Sequence, residues 1–288
     1  MSERSRRQPQ LSIPLENLRR DLRTRLESDK QMSSAWAIVP LLPIIVGIVV
    51  VVIIFAAIFS AIGSVGPSGT TTMGSAALGA ALFGSIFLLY FLYFVVLILV
   101  ALMVFKMVSR RNTHFNRQIL LQEDIISMAK EMSAKRGVDV SILLNNMDRS
   151  VREARLEEVE KNATLWAILV FVSGLGLLYA GYFLMRDFFR HERREDVFIN
   201  DMLRTFNAIG IPINFPYRNP PIPDRSFALY FVLSLITGSI FAVYWVYVLV
   251  SDPNNHFRQQ MLMEDTIMAQ LSGTPAPAAT PTPAPLPN

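Results

Sequence analysis

The sequence predicts an all-α polytopic membrane protein with four transmembrane helices, arranged as two tandem helical hairpins with cytoplasmic amphipathic helices. The first observation is a stretch without Lys, Arg, Asp or Glu that runs from Ala37 to Phe105. The second is that Ala163–Met185 and Ser226–Val250 are equally free of charge. A helix needs roughly 20 apolar residues to cross the hydrocarbon core of a bilayer, and these stretches meet that length. The third is that several short sequences occur twice, which indicates a duplicated unit.

Each element follows from the pattern of charge along the chain. We expect the spans at Trp36–Ile62, Ala76–Phe105, Thr164–Met185 and Phe227–Val250. Before them, Leu side chains recur at helical spacing from Leu15 to Leu26 opposite Arg side chains, which suits a helix on a membrane surface or one docked on the protein itself. The predicted regions are an Arg-rich segment with this amphipathic helix (1–34), a first transmembrane hairpin (35–108), a cytoplasmic helical linker (109–162), a second hairpin (163–250) with a polar, Pro-rich loop (186–225), a cytoplasmic amphipathic helix (251–271) and a disordered Pro-rich tail (272–288).

The distribution of basic residues predicts the orientation. Four spans place both termini on one side, and the N-terminal segment, central loop and tail carry 20 of the 27 Lys and Arg residues. The positive-inside rule then predicts an N-in, C-in protein of the plasma (cytoplasmic) membrane. The chain has no Cys, which excludes disulfides and thiolate metal sites. A net charge of +4 fits a basic rim that faces anionic lipid and gives no reason to expect nucleic acid as a partner.

Three short sequences each occur twice, and in the same order, and these echoes favour a tandem duplication. "RLE" precedes "WAI" at Arg25–Ile38 and again at Arg155–Ile168, "GSIF" begins at Gly84 and at Gly238, and "NTHF" at 112–115 resembles "NNHF" at 254–257. The offsets are 130, 154 and 142 residues, so the alignment is not clean. A weaker echo, "YFLMRDFFRH" at Tyr182–His191, also sets an aromatic residue nine positions before a His. It suggests a unit of span, polar junction, His and amphipathic helix that is used up to three times, although a third copy would face the opposite side.

The stretch Leu233–Asp252 resembles the membrane segment of a family called domain of unknown function 4234, mainly over residues 226–265. Tyr244 and Trp245 follow the characteristic pattern, while Phe241 stands where that family more often has Tyr. The matching residues are Leu233, Ile236, Thr237, Gly238 and Ile240. The resemblance implies a membrane location and no particular chemistry.

The two His-Phe segments are the sharpest candidates for a site. On a helix, Gln118 follows His114 by four residues on the same face, as Gln260 follows His256. A metal could use His114, His256, Glu123 and Glu264, but neither segment has the close His and carboxylate spacing of an established metal motif. We therefore predict a junction motif, in which Asn caps a new helix, His and Gln lie at headgroup level and Phe packs inward, and we assign no catalytic, metal or cofactor site. The motif residues are His114, Phe115, Gln118, His256, Phe257 and Gln260.

Small residues recur at helical spacing in three predicted spans and predict close helix packing. These residues are Ala76, Ala80, Gly84, Gly176, Ala180, Ser234, Gly238 and Ala242. We expect them to mediate contacts within a four-helix bundle, with contacts between copies as the alternative.

These features predict a non-enzymatic membrane scaffold or an accessory subunit of a membrane protein complex. Its partners would be membrane lipid and other membrane-protein subunits, or further copies of itself. The alternative is a small channel or transporter formed by the duplicated hairpins. A third hypothesis is a metal-dependent membrane enzyme that uses the His and acidic faces.

Overall fold

The computed structural model describes residues 13–63, 74–214 and 218–272, and within them the chain is all-α without a strand. The predicted helical class is therefore confirmed. The predicted turn around residues 64–73, the Arg-rich start and the tail from residue 273 lie outside the described residues. In chain order the helices are α1 (Ile13–Ser28), a 3₁₀ helix (Ser34–Leu41), α2 (Leu42–Gly63), α3 (Gly74–Arg136), α4 (Ser141–Glu157), α5 (Ala163–Ser173), α6 (Gly176–Ala208), α7 (Phe227–Ile236) and α8 (Ile240–Leu271).

Two helices in the described ranges are long and apolar enough to cross a membrane, and they lie within Ser34–Ser60 and Leu82–Arg136. Only 11% and 17% of their most apolar windows are buried inside the protein, so most residues of these windows lie outside its core. Phe59, Phe83 and Phe87 are each at least 70% exposed. The two predicted spans of the first hairpin are thus candidate membrane-spanning helices.

The predicted third and fourth spans are not single helices. The chain turns at Gly174, where φ is +66°, and α6 runs back along α5, with the Trp166 ring 5.2 Å from the Tyr179 ring. A second turn at Gly238 has φ of +56°, and α8 returns along α7. Glycine suits both turns because it has no Cβ to oppose positive φ. Since an 11-residue helix is only about 16 Å long, each short hairpin reaches roughly half the depth of a 30 Å hydrocarbon core.

The described helices therefore form three hairpins instead of two, and the hairpins close into a ring. The returning helix α3 packs on α5, with Phe94 and Phe171 rings 5.7 Å apart. The returning helix α6 meets α7, where the Tyr182 and Phe227 rings are 5.5 Å apart. The returning helix α8 packs on the 3₁₀ helix of the first hairpin. Each hairpin thus contacts the next one, and the third contacts the first.

A polar helical bundle lies below the ring. The helices α3, α6 and α8 continue past the apolar layer without a break, so no helix end marks the predicted boundaries at 108/109 and 250/251, which stay predictions. The helix α1 packs on α3 and α8 with Leu15 and Leu18 buried, which favours the docked alternative for this amphipathic helix. The loop predicted to face the opposite side also joins this bundle, because Arg218 donates a 2.9 Å hydrogen bond to Gln260.

The predicted small-residue contacts hold in one hairpin only. A Cβ added to Gly176 would lie 3.0 Å from the backbone of α5, and Ala180 is fully buried. Gly84 and Gly238 have no atom within 4 Å of such a Cβ, so neither mediates packing in the monomer, and Gly238 serves its turn instead. Ala80 is exposed, Ser234 and Ala242 are half-buried, and the side chain of Ala76 lies outside the described residues.

Candidate metal centre

Three histidines converge where the returning helices α3, α6 and α8 leave the apolar layer. His114, His191 and His256 are each at most 2% exposed. Their ring centroids form a nearly equilateral triangle with sides of 5.1, 5.2 and 5.5 Å. One ring nitrogen of each lies within 4.8 Å of the other two, and the Nε2 atoms of His114 and His256 are 3.2 Å apart. The third echo, His191, therefore lies on the same side as the other two.

A buried carboxylate holds the outer nitrogen of each ring. Nδ1 of His114 is 2.9 Å from Asp29, Nδ1 of His191 is 3.0 Å from Glu158, and Nδ1 of His256 is 3.0 Å from Glu192. A carboxylate that accepts an Nδ1–H favours the tautomer in which Nε2 carries a lone pair. This arrangement of carboxylate, His and inward-facing nitrogen is the one that orients His ligands in metalloproteins.

The carboxylates explain why the short sequences repeat. Asp29 follows the first "RLE" and Glu158 follows the second, and each acid precedes a hairpin and binds the histidine that comes after it. Glu192 stands in the same relation to the third hairpin. The "RLE" and "WAI" echoes thus relate hairpins one and two, and the "GSIF" and His-Phe echoes relate hairpins one and three. The offset of 130 residues compares hairpins one and two, whereas the offsets of 154 and 142 both compare hairpins one and three and differ because hairpin one has 12 more residues between "GSIF" and the His-Phe segment.

Nearby charges hold two of the carboxylates in their ionised form. Burial by itself raises the pKa of Asp29, but the contact with the His114 ring and the charge of Arg117 outweigh it and keep that pKa well below its ordinary value. Burial by itself also raises the pKa of Glu158, but the contact with the His191 ring and the charge of Arg194 outweigh it and lower that pKa. An anion beside each Nδ1–H strengthens the metal affinity of the imidazole.

The electrostatic environment of the third hairpin differs. Burial raises the pKa of Glu192, although this carboxylate also accepts the backbone N–H of Ile222 at 2.7 Å. Burial, followed by the Arg218 charge, lowers the pKa of His256 far below its ordinary value. His256 is therefore a neutral imidazole, which is the form that ligates metals.

Three phenylalanines enclose the histidines in an apolar shell. The Phe115 ring stacks on His191 with centroids 4.2 Å apart, the Phe257 ring is 4.5 Å from His114, and Phe188 is buried beside both. The prediction that Phe115 and Phe257 pack inward is thus confirmed. Such a shell excludes water from the inner nitrogens.

The Asn of each His-Phe segment ties neighbouring hairpins together. Asn112 donates to the Lys161 carbonyl at 2.6 Å and accepts from the Lys161 N–H at 3.2 Å. Asn254 makes the same pair of bonds with Met32, at 2.7 and 3.1 Å. The predicted role of Asn as a helix cap is wrong, because α3 and α8 run through these positions without a break.

The other predicted motif residues lie one turn below the histidines. Gln260 donates to Gln118 at 3.2 Å, and Gln118 donates to Glu264 at 2.7 Å. Glu264 also binds Arg117, while Glu123 is 40% exposed beside Arg155. Neither acid belongs to the cluster of possible metal ligands that the described residues form, which consists of the three histidines.

Sequence reasoning missed His191 as a partner and all of the carboxylates at the site. The aromatic residue nine positions before His191 was the available signal, but a continuous third span would have placed that histidine across the membrane. The acids carry no local signal, since Asp29 and His114 are 85 residues apart.

No protein-family model matches the chain, and it has no significant match among curated proteins or solved structures. The resemblance to domain of unknown function 4234 therefore stays a prediction.

Proposed function

We propose that the protein is a membrane-anchored scaffold whose three hairpins are joined by a divalent transition-metal ion, with Zn²⁺ as the first candidate. The observation that carries the proposal is the convergence of three buried Nε2 atoms whose rings are all held at Nδ1 by carboxylates. Imidazole is a ligand that Zn²⁺, Cu²⁺, Fe²⁺ and Ni²⁺ all accept.

Within the described part of the chain, the Nε2 lone pairs of the three histidines lack a hydrogen-bond donor between them, which favours a cation at this position. With Nδ1 protonated, the Nε2 atoms of His114 and His256 face each other at 3.2 Å with a lone pair on each. Nε2 of His191 is buried and has no hydrogen-bond partner. Two ligand nitrogens on a tetrahedral ion with bonds of about 2.0–2.1 Å lie roughly 3.3 Å apart, which is close to the separation seen here.

The enclosure of the site favours a structural role over catalysis. Catalytic zinc sites keep one position open to water or substrate, whereas structural sites are closed. Here the phenylalanine shell covers the histidines, and each histidine belongs to a different hairpin. A metal bound to all three would fix the hairpins relative to one another, as a scaffold requires. A cavity of about 320 Å³ between the hairpins has an almost wholly apolar lining, which does not favour a pore for polar solutes.

The membrane arrangement that fits this fold has one spanning hairpin and two short hairpins that enter and leave by the same face. The tips of the short hairpins are apolar and exposed, as at Val172 and Ile236, each 75% exposed. All 27 Lys and Arg residues then lie on one side, including the seven that a four-span topology places outside. This side is cytoplasmic by the positive-inside rule.

Metal analysis of the full chain tests the function. The protein should be purified in detergent without a His tag and analysed for transition metals, beside His191→Gln and the control Gln259→Ala. We expect about one metal ion per chain in the native protein and the control, and much less in the His191 variant. A native protein that binds no transition metal, even when Zn²⁺ is added, would refute the proposal.

Labelling tests the topology, and the absence of Cys makes single-Cys variants clean reporters. A Cys at Asn219 should react with an impermeant thiol reagent only after the cells are permeabilised, as should one at Ser141. Reaction at Asn219 in intact cells would restore the four-span arrangement.

A further inference from the structure

Glu195 is a buried carboxylate beside the histidines that none of the ring nitrogens uses as a hydrogen-bond acceptor. It lies four residues after His191 on α6, hence on the same helix face, and is 2% exposed. Its Oε2 atom is 3.9 Å from Nε2 of His191 and 3.7 Å from Nε2 of His256. Both nitrogens are inner atoms, so this carboxylate faces the centre of the cluster and not its edge.

The distances fit the empty corner of a tetrahedron. Three histidines supply three ligands, and zinc in closed sites takes four. Ligand atoms on a tetrahedral ion with bonds of about 2.0–2.2 Å are roughly 3.4 Å apart, a few tenths of an ångström less than the separations from Glu195. Its Oε2 atom is buried and its close cationic neighbour is Arg218, so a metal would have to displace that cation to bind it.

Arg218 competes for the same carboxylate oxygen. Its Nη2 lies 2.5 Å from Oε2 of Glu195, and its side chain is 6% exposed. Nη1 lies 3.6 Å from Glu192 and 3.5 Å from Asp196, while Nε and Nη1 have no hydrogen-bond partner. The guanidinium is therefore held by charge among three acids and by its hydrogen bond to Gln260, so Glu192 and Asp196 would remain as neighbouring anions if it released Glu195.

We propose that Glu195 is the fourth ligand of the metal and that Arg218 holds this carboxylate when the metal is absent. The proposal rests on the proposed function, because it describes the same ion. A carboxylate ligand lowers the net charge of a buried Zn²⁺ with three neutral histidines, which is otherwise costly to desolvate. The Arg218 cation opposes the metal at that oxygen, so it weakens the affinity and makes the closed metal-free state stable.

Zinc affinity of the full chain in detergent tests both parts, measured by competition with a chromophoric chelator. Glu195→Gln removes the anionic ligand and should weaken binding at least tenfold, a loss of the size known for residues that support metal sites. Asp201→Asn is the control, since it neutralises an acid of the same helix that lies beside Arg204 instead of Arg218, and it should change affinity less than about threefold. Arg218→Gln should strengthen binding.

The visible absorption spectrum of bound Co²⁺ gives a second test of Glu195 as a metal ligand. Four-coordinate Co²⁺ absorbs visible light far more strongly than six-coordinate Co²⁺, so the native protein should show the intense bands, and Glu195→Gln should shift or weaken them. Unchanged affinity and spectrum in Glu195→Gln would overturn the ligand assignment while leaving the three-histidine site intact. Weaker binding in Arg218→Gln would overturn the competing role of Arg218. A native protein that binds neither metal would instead defeat the proposed function.

Discussion

Replacing Asn254 by Ala should open the ring between the third and first hairpins. The side chain makes two bonds to the Met32 backbone and accepts a third from Arg110 at 2.9 Å. Truncation leaves the Met32 N–H and C=O without these partners, and each unsatisfied buried group costs about 1–3 kcal/mol. Because the pair is only partly buried, we expect a total loss of about 2–3 kcal/mol, near the low end.

The neighbouring residue provides the control for this prediction. The side chain of Asn255 accepts an exposed hydrogen bond from Arg258, so Asn255→Ala should change stability by less than about 0.5 kcal/mol. In a chain of this size 1 kcal/mol corresponds to roughly 2–4 °C, so the melting temperature in detergent should fall by about 4–12 °C for Asn254→Ala alone. Asn254→Asp keeps the acceptor and loses the donor, and should lie between. Equal melting temperatures for the two Ala variants would refute the closed ring.

Three further predictions concern the shell, a helix contact and a turn. Phe115→Ala should cost about 3–5 kcal/mol because its ring is fully buried on His191, and thermal melting should show a much smaller effect for exposed Leu120→Ala. Burial, followed by the hydrogen bond and charge of Asp124, raises the pKa of Asp21 to about 6. The protonated form is thus favoured on folding, and the stabilisation is lost as pH rises through 6. The fall in melting temperature between pH 5 and 7 should therefore be smaller in Asp21→Asn, and an equal fall would contradict the assignment. Gly238→Ala should destabilise by about 1 kcal/mol from positive φ, measured by the same melting assay, although the space around it is empty.

The helical class and the two candidate membrane-spanning helices could be predicted because a helix that carries no charge over 20 or so residues is costly to expose to water and suits lipid. The turns that interrupt the predicted third and fourth spans could not be predicted. The residues on either side of Gly174 are as apolar as those of a continuous span, and hydropathy carries no information about the φ angle of one residue. This error extends to the site, because a continuous span over Thr164–Met185 places His191 on the far side of the membrane.

Two of the three histidines of the site could be predicted from the sequence, and the third could not. His114 and His256 share flanking Asn and Phe residues, so their likeness could be read, whereas His191 has Phe189 and Glu192 at the equivalent positions. The acids that hold the rings are separated from them by whole hairpins. Only the fold shows that the base of each hairpin brings its two ends together.

Each hairpin has an acid before it and a histidine after it, and the two side chains pair at its base. The geometry of the histidine cluster therefore does not depend on how long the hairpin is. In the first hairpin His114 follows Trp36 by 78 residues, whereas in the second His191 follows Trp166 by 25, yet both histidines reach the same cluster. Only the two segments of chain at the base must stay in register, and the distal ends can lengthen or shorten freely. A short hairpin could therefore lengthen to the size of the first one, or the first one shorten, without moving any of the three histidines.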